Sequence, residues 1–174
     1  MSNYRLMIAS DIHGSAYYCR KLIEAYNEQK PDKLLLLGDI LYHGPRNDLP
    51  KEYNPKQVIE MLNGISDNIL CVRGNCEAEV DQMVLNFSVL ADYAYFSIDG
   101  VNIFATHGHL YNENNLPKLS KGDYLLHGHT HVPAYVEHEN YTYVNPGSVS
   151  IPKEGSNHSY MIFEKGEFKS YVIE

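Results

Sequence analysis

The sequence contains no tryptophan, only three cysteines and no long apolar run. Three cysteines, Cys19, Cys71 and Cys76, cannot build a disulfide framework, and so few favour a reducing environment such as the cytoplasm. No stretch approaches the roughly 20 consecutive apolar residues of a membrane-spanning helix. The first six residues also lack the apolar segment of a signal peptide. We therefore expect a cytoplasmic protein that is not bound to membranes.

Positive charge is also scarce. Lys and Arg number 14 against 22 Asp and Glu, which gives a net charge of -8. This balance disfavours stable binding to nucleic acid, because such binding depends on a surface rich in Lys and Arg. It does not exclude a phosphate-containing substrate, since bound metal ions can reverse the charge of a local site.

No internal repeat, linker or low-complexity segment divides the chain. Its length and its apolar content of 44% fit one globular domain over residues 1–174 with a core of its own. Tyrosine is abundant, with 15 residues, and most of these side chains are expected to pack in the core or at an interface. A homo-oligomer is therefore one possible assembly.

The first half of the chain alternates predicted strands and helices. Apolar runs predict strands at residues 4–10, 33–37 and 69–72, and apolar residues at helical spacing predict helices at 15–29, 55–63 and within 77–87. After residue 90 short strands dominate, mostly as a β-meander, with a short helix expected within Asn112 to Gly122. Two mixed sheets packed face to face, with helices outside, fit this order.

A short polar motif follows each of five apolar runs. The motifs are Asp11-Ile12-His13, Gly38-Asp39, Gly74-Asn75-Cys76, His107-Gly108-His109 and Gly128-His129-Thr130-His131. Ligands of open α/β sheets bind at the carboxyl ends of strands, so these motifs are expected to converge. Residues two apart in extended chain point the same way, and each such pair can therefore present two groups to one cavity.

The donor atoms of these motifs favour a metal site. Carboxylate and amide oxygens with imidazole nitrogens suit Mn, Zn, Fe or Mg. A structural zinc site is not indicated, because such sites usually use closely spaced cysteines. Metal storage is disfavoured as well, since the ligands are scattered over strand ends and form no His-rich tract. Each motif alone is typical of a solvated turn, and only the set of five carries the prediction.

Together, the five motifs resemble the signature of the calcineurin-like metallophosphoesterase superfamily. The loop that contains Arg46 and the stretch Asn145-Pro146-Gly147-Ser148 resemble the small bacterial YfcE-type phosphodiesterases within it. The resemblance covers nearly the whole chain. It implies an α/β fold, a four-layer α/β/β/α sandwich of two mixed sheets with flanking helices, and a dinuclear metal centre.

The resemblance also implies a set of metal ligands. One ion would be bound by Asp11, His13, Asp39 and His131, and the other by Asp39, Asn75, His107 and His129. Asp39 would bridge two divalent ions per chain, with Mn²⁺ as the first expectation and Zn²⁺, Fe²⁺, Mg²⁺ or Ni²⁺ as alternatives. Such a pair clamps the attacking and leaving oxygens and brings the pKa of a bound water towards ~7, so that a metal-activated hydroxide attacks the phosphate ester.

Four residues are expected to act on the substrate, and some have alternatives. Asn75 is expected to be catalytic as well as a ligand. Cys76 stands where many members of the superfamily have a histidine that contacts the phosphate or protonates the leaving group, and a thiol with a pKa of ~8.5 is a weaker acid. Alternatively, Cys76 is inert and His109 takes over part of the acid role. His109 itself has an alternative, in which it only contacts the metal ligands from behind. Arg46 suits a phosphate oxygen, unless it pairs with Asp48 or Glu52 at the surface.

The predicted function is hydrolysis of a small phosphodiester by a metal-dependent phosphodiesterase. A phosphomonoesterase on the same scaffold is the nearest alternative, and Cys76 favours the diesterase. The alternative from a different functional class is a non-catalytic, metal-binding scaffold for protein interactions, because a protein with that role resembles this fold. The presence of all seven ligand residues favours the enzyme.

Overall fold

The computed structural model describes residues 4–174, which form ten strands, three α-helices and a short 3₁₀ helix. The strands are β1 Arg5–Ala9, β2 Lys33–Leu36, β3 Ile69–Cys71, β4 Tyr93–Ile98, β5 Val101–Thr106, β6 Asp123–Leu126, β7 Ala134–Glu137, β8 Tyr141–Asn145, β9 Ser159–Glu164 and β10 Glu167–Val172. The helices are α1 Ala16–Gln29, α2 Pro55–Asn63 and α3 Glu79–Val84, and the 3₁₀ helix is Ser66–Asn68. Within residues 4–174, no helix has the length and apolar character needed to cross a bilayer.

Two five-stranded mixed sheets make up the fold. The first has the order β10-β9-β1-β2-β3, in which β1, β2 and β3 are parallel neighbours. The second has the order β4-β5-β6-β8-β7, in which β5, β6 and β8 are parallel neighbours. The remaining pairs are antiparallel. The prediction of two mixed sheets with flanking helices is confirmed.

The central strands β1 and β2 of the first sheet are buried on both faces, as their uninterrupted apolar runs predict. Met7 and Leu34 belong to the cluster that also contains Leu22 of α1 and Leu62 of α2. The alternate residues belong to a second cluster, shared with the other sheet and formed by Leu6, Ile8, Leu35, Leu37, Ile103, Ala105, Leu126, Val144 and others. Helices therefore cover one face of the first sheet, and the second sheet covers the other.

Local signals fix the ends of the two longer helices. The side chain of Ser15 accepts a hydrogen bond from the backbone N–H of Tyr18 and caps α1, and α1 ends at Lys30 in the left-handed conformation. Asn54 caps α2 in the same way, with Pro55 in the first turn. Both helices lie where the sequence predicts them.

Two of the sequence predictions about helices are corrected by the structure. The segment Asn112 to Gly122 contains turns and no helix, because the side chain of Asn112 accepts hydrogen bonds from the backbone N–H groups of Asn114 and Asn115 and competes with helical bonding. The helix expected within 77–87 is confined to α3. Beyond it, the side chain of Gln82 bonds to the backbone of Leu85, Phe87 and Val89 and holds that stretch in a non-helical path.

The prediction of a β-meander in the second half is also wrong. Strands β5, β6 and β8 pair in parallel, and only β4–β5, β7–β8 and β9–β10 are antiparallel hairpins. In addition, β9 and β10 join the first sheet, where β9 pairs with β1. The parallel pairing matters for the site, since it brings the carboxyl ends of β5 and β6 to one edge.

Candidate metal centre

The five polar motifs lie directly behind five parallel strands. Asp11, Asp39 and Asn75 follow β1, β2 and β3 of the first sheet, while His107 follows β5 and His129 follows β6 of the second. Because parallel neighbours present their carboxyl ends at the same edge, the motifs of each sheet lie side by side. The two sets then meet between the sheets, and the predicted convergence is confirmed by the contacts described below.

Asp11, His13 and His131 form a first buried cluster whose candidate ligand atoms lie within 4.8 Å of one another. Oδ1 of Asp11 is 3.5 Å from Nε2 of His13 and 3.2 Å from Nε2 of His131. The two Nε2 atoms are 3.3 Å apart. These three residues come from motifs that are more than a hundred positions apart in the sequence.

Asp39, His107 and His129 form the second cluster, again with ligand atoms within 4.8 Å. Nε2 of His107 lies 3.1 Å from Nδ1 of His129 and 3.4 Å from Oδ2 of Asp39. Oδ1 of Asn75 lies 3.1 Å from the same Nε2 atom. The seven residues that the resemblance names as ligands thus lie at these two clusters, and Cys76 forms a further candidate group with His13 and Asp39.

Asp39 lies between the clusters. Its Oδ2 atom is 3.4 Å from Nε2 of His107 and 3.7 Å from Nε2 of His13. Its Oδ1 atom accepts a hydrogen bond of 2.9 Å from the backbone N–H of Cys76. One carboxylate oxygen is thus fixed by the neighbouring strand end, and the other faces both clusters.

Three imidazoles are oriented by backbone carbonyls. Nδ1 of His13, His107 and His131 lies 2.8 Å, 2.7 Å and 2.6 Å from the carbonyl oxygens of Tyr42, Leu37 and Ile151. A carbonyl only accepts, so each Nδ1 carries the proton. In its neutral form, each ring would then present an unprotonated Nε2 to the cluster, which is the tautomer that a metal ion binds.

The donor set fits divalent metal ions. Oδ1 of Asp11 is buried without a hydrogen-bond partner in the described chain, although it faces two imidazole nitrogens. Unpaired buried carboxylate oxygens are costly, and a cation satisfies them. Carboxylate, amide and imidazole donors without thiolate suit hard or borderline ions. The residues therefore fit the metal centre that the resemblance implies.

The backbone at this site is held in an unusual conformation. Asp11, His13, Asp39, His129 and His131 all have positive φ, between 49° and 67°. Non-glycine residues rarely adopt this left-handed region, and histidine or aspartate there is held by the surrounding structure. Half of the ten non-glycine residues with positive φ in the described chain are therefore predicted metal ligands.

Glycines let the backbone approach these carboxylates closely. A Cβ atom on Gly74 would collide with Oδ1 of Asp39, and one on Gly128 would collide with Oγ of Ser10 and lie 2.7 Å from Oδ2 of Asp11. Glycine is therefore required at Gly74 and Gly128, because there is no room for a side chain between the strand ends.

Glu77 is a half-buried residue that the sequence motifs did not assign to the site. Its carboxylate accepts hydrogen bonds from the backbone N–H groups of Asp39 and Ile40, both at 2.8 Å, and of Gly74 at 2.5 Å. It therefore ties the loop after β2 to the loop after β3. In the sequence, only the position of Glu77 directly after Gly74-Asn75-Cys76 pointed to a role at the site. An acidic residue there is equally typical of the start of a helix, so the sequence did not identify it.

Asp11 is held by three serines. The hydroxyls of Ser148 and Ser150 donate to its backbone carbonyl at 2.9 Å and 3.1 Å, and Ser10 donates to its Oδ2 at 2.6 Å. Ser148 lies in the stretch that carried part of the resemblance. Buried Asn145 donates to the carbonyl of Gly128, so that the loops after β6 and β8 are also joined.

The two clusters shift the pKa values of their own members. Burial alone would lower the pKa of His107, but the carboxylates of Asp39 and Asp11 outweigh it and raise that pKa to about 9. Burial and the charge of His107 lower the pKa of His129 to about 4. Burial opposes ionisation of Asp11, yet the neighbouring side chains of His13 and His131 hold its pKa well below the usual range. Without metal, the protons of the site therefore concentrate on selected imidazoles.

A cavity of about 480 Å³ opens above the clusters. Its walls include His13, Asp39, Asn75, His129 and His131, together with Arg46, Cys76 and Lys153. Burial and the charges of Asp39, Glu77 and Asp11 raise the pKa of Cys76, so that its thiol is protonated. The alternative pairing of Arg46 is not seen, because Glu52 pairs with Arg20 and no described acid pairs with Arg46.

His109 is placed differently from Cys76. Its ring centroid lies 5.5 Å from that of His107 and 6.4 Å from that of His129, and it is not among the residues that line the cavity. Burial and the charge of His107 lower its pKa. Lys153, which does line the cavity, had no motif to mark it and reaches the site only through the loop after β8.

The chain matches known proteins over most of its length. A model of the calcineurin-like phosphoesterase superfamily domain matches residues 4–167. The chain is 45% identical over 156 residues to phosphodiesterase YfcE of Escherichia coli, covering 90% of this chain and 85% of that protein. It is 24% identical to phosphodiesterase MJ0936 of Methanocaldococcus jannaschii, over 98% and 99% of the two chains.

A solved structure agrees with these sequence matches. The structure of YfcE, described as a phosphoesterase from E. coli, superposes with a TM-score of 0.91 and 39% identity, covering 98% of this chain and 100% of that one. The family model extends from β1 to the start of β10 and includes all five motifs. The chain therefore belongs to the calcineurin-like phosphoesterase superfamily.

Proposed function

We propose that this protein is a metal-dependent phosphodiesterase that hydrolyses a small phosphodiester at a dinuclear centre. The observation that carries the proposal is the position of Asp39, whose Oδ2 faces Nε2 of His13 at 3.7 Å and Nε2 of His107 at 3.4 Å. A carboxylate placed between two sets of candidate metal-binding atoms is suited to bridge two cations. The cavity directly above it has room for a small ester.

The two clusters would hold two divalent ions. Asp11, His13, Asp39 and His131 would hold one, and Asp39, Asn75, His107 and His129 the other. When bound, such a pair supplies positive charge to a phosphate ester and lowers the pKa of water near it. The ions are proposed to be Mn²⁺, and Zn²⁺, Fe²⁺, Mg²⁺ and Ni²⁺ use the same donor types.

The chain's own residues bind and orient the ester. Arg46 lines the cavity, and its guanidinium group would hold a non-bridging phosphate oxygen. The amide of Asn75 donates to Sγ of Cys76 at 3.4 Å, so that both side chains are oriented together at the cavity wall. The protonated thiol of Cys76 lines the cavity and would lie near the leaving group of a bound ester, whereas His109 does not line the cavity.

A diester is favoured over a monoester. The residue after Gly74-Asn75 is a neutral thiol in this chain, and it offers no positive charge to the second ionised oxygen of a monoester. The relative that is 45% identical carries the name phosphodiesterase, which supports the same preference. A non-catalytic scaffold is disfavoured because all seven candidate ligands are present and oriented.

Localisation in the cytoplasm is part of the proposal, and the three unpaired cysteines support it. The partner is proposed to be the small phosphodiester itself, without stable binding to nucleic acid or membranes. A homo-oligomer is compatible with exposed apolar side chains such as Met83 and Val80.

The test is a comparison of two esters under several metals. Chelated protein is reconstituted with Mn²⁺, Zn²⁺, Mg²⁺ or Ni²⁺ and assayed with bis(p-nitrophenyl) phosphate and p-nitrophenyl phosphate. Metal-dependent release of p-nitrophenol, faster from the diester in at least one metal, is expected. A faster rate from the monoester in every metal would favour the monoesterase, and no turnover of either ester would favour the scaffold.

A further inference from the structure

Two positively charged side chains line the cavity, Arg46 and Lys153. Both are exposed. In residues 4–174, the ion pairs that use Lys or Arg involve Arg5, Arg20, Lys21, Arg73 and Lys169. Neither cavity residue forms one, although acidic residues outnumber basic ones by 22 to 14. Two positively charged side chains that line one cavity, neither paired with a carboxylate, are suited to hold an anion there.

The two cations come from different loops that are anchored at different places. The loop of Arg46 lies against Cys76, since a Cβ atom on Gly44 would be 3.6 Å from its Sγ atom. The backbone N–H of Lys153 instead donates to the carbonyl of His131 at 3.2 Å. Arg46 is therefore placed on the side of Cys76, and Lys153 on the side of the first cluster.

Lys153 is presented by a closed turn. Ser156 donates to the carbonyl of Lys153 through its backbone N–H at 3.0 Å and through its hydroxyl at 2.7 Å. Glu154 and Gly155 between them have φ of 55° and 72°. The turn is hydrogen-bonded to the backbone of His131, the residue whose Nδ1 donates to the carbonyl of Ile151. The backbone of Lys153 is thus tied to the first cluster, and its side chain is exposed.

The cavity is larger than a phosphate group requires. A volume of about 480 Å³ lies in the range of pockets that enclose a whole small molecule. If Arg46 and the two clusters contact the scissile phosphate, Lys153 faces a part of the substrate beyond it. An ammonium group is a compact point charge that suits a phosphate there.

We propose that the substrate is a phosphodiester that carries a second phosphate group, and that Lys153 binds this second phosphate. The inference rests on the proposed phosphodiesterase function and adds the class of substrate to it. Lys153 acts as a specificity residue at a distance from the bond that breaks, which remains the P–O bond of the scissile diester.

The test uses two esters that release the same p-nitrophenol. They are thymidine 5′-(p-nitrophenyl phosphate) and the same compound with a 3′-phosphate. Values of kcat/KM are measured for the metal-loaded wild type, for Lys153→Met and Lys153→Arg, and for Lys56→Met. Lys56 is exposed on α2, does not line the cavity and serves as the matched control for loss of one charge.

A charge-assisted contact predicts that the wild type prefers the doubly phosphorylated ester at least about tenfold. Lys153→Met should reduce this ratio to below about threefold, while Lys153→Arg and Lys56→Met should keep it above about fivefold. Turnover without preference in the wild type, or an unchanged ratio in Lys153→Met, overturns the inference alone. Absence of metal-dependent turnover of both esters would instead contradict the proposed function.

Discussion

Nε2 of His13 lies 3.3 Å from Nε2 of His131, although each ring donates its Nδ1–H to a backbone carbonyl. Two neutral imidazoles in this arrangement face each other with lone pairs, and Oδ1 of Asp11 adds a negative charge beside them. A proton or a metal ion must satisfy these atoms. The site therefore links metal binding to protonation, and this link can be measured.

The metal-free protein should lose stability as pH rises from 6.5 to 8. The pKa of His107 is raised to about 9 in the folded state, above the ~6.5 of an unfolded histidine, so the folded state binds the proton more tightly. This stabilisation is fully present below pH 6.5 and is lost as pH rises through about 9. Urea unfolding of chelated protein should show a loss of roughly 1–2 kcal/mol across this window.

Two variants provide the controls for the pH effect. His107→Gln keeps a polar side chain of similar size and should flatten the pH dependence between 6.5 and 8. His138→Gln removes an exposed histidine and should leave the dependence as it is. An equal slope in the wild type and in His107→Gln would show that this histidine does not hold the proton.

Asp39→Asn should lower kcat for a diester by at least about a thousandfold, because the neutral amide cannot bridge two cations as a carboxylate does. Asparagine tolerates the left-handed backbone at this position, where φ is 54°, and its oxygen can still accept from Cys76. Folding should therefore survive, as judged by circular dichroism. Asp48→Asn makes the same charge change outside the cavity, and its kcat should stay within about twofold of the wild type.

Glu77→Gln should destabilise the protein and weaken metal binding together. The amide retains one acceptor oxygen for three backbone N–H groups, so at least one buried donor loses its partner, at about 1–3 kcal/mol. Because these donors position Asp39, the Kd for metal should rise roughly 10- to 100-fold, as measured by isothermal titration calorimetry. Glu79→Gln alters a neighbouring acid at the start of α3 and should leave the metal Kd near the wild-type value.

Cys76→His should make the rate less dependent on the leaving group. A thiol whose pKa is raised is a poor proton donor, so the wild type should hydrolyse aryl diesters far faster than alkyl ones. Histidine, with a pKa of ~6.5, can donate near neutral pH. A series of diesters with graded leaving-group pKa, measured in one metal, gives the slope for each protein, and Cys76→Ala should keep the steep slope. Equal slopes for wild type and Cys76→His would assign the proton to another group.

The positions of the candidate ligands could be predicted from the sequence. Asp11, Asp39 and Asn75 each follow an apolar run, and the rule that parallel strands end at one edge brings them together without further information. The resemblance then divided the seven residues between two ions, and this division stays a prediction that the position of Asp39 between His13 and His107 supports. Both arguments depend on recognising the strands, and a short apolar run marks a buried strand in the sequence.

The parts that the sequence did not predict depend on loop conformation. Glu77 bonds to three N–H groups only because two loops turn back towards it, and Lys153 reaches the cavity through a turn closed by Ser156. The helix expected after Asn112 is replaced by side-chain bonds of that residue to the local backbone. In each case polar side chains decide the backbone path, and hydrophobic spacing carries no information about them.

The most direct test of the two-metal centre is the amount of metal bound at full activity. Chelated protein is titrated with Mn²⁺, the excess is removed, and bound metal is determined by elemental analysis while diester hydrolysis is followed on the same samples. The shared position of Asp39 predicts that activity saturates as bound metal approaches two ions per chain. Full activity after exhaustive chelation, or saturation at a single bound ion, would contradict the dinuclear account.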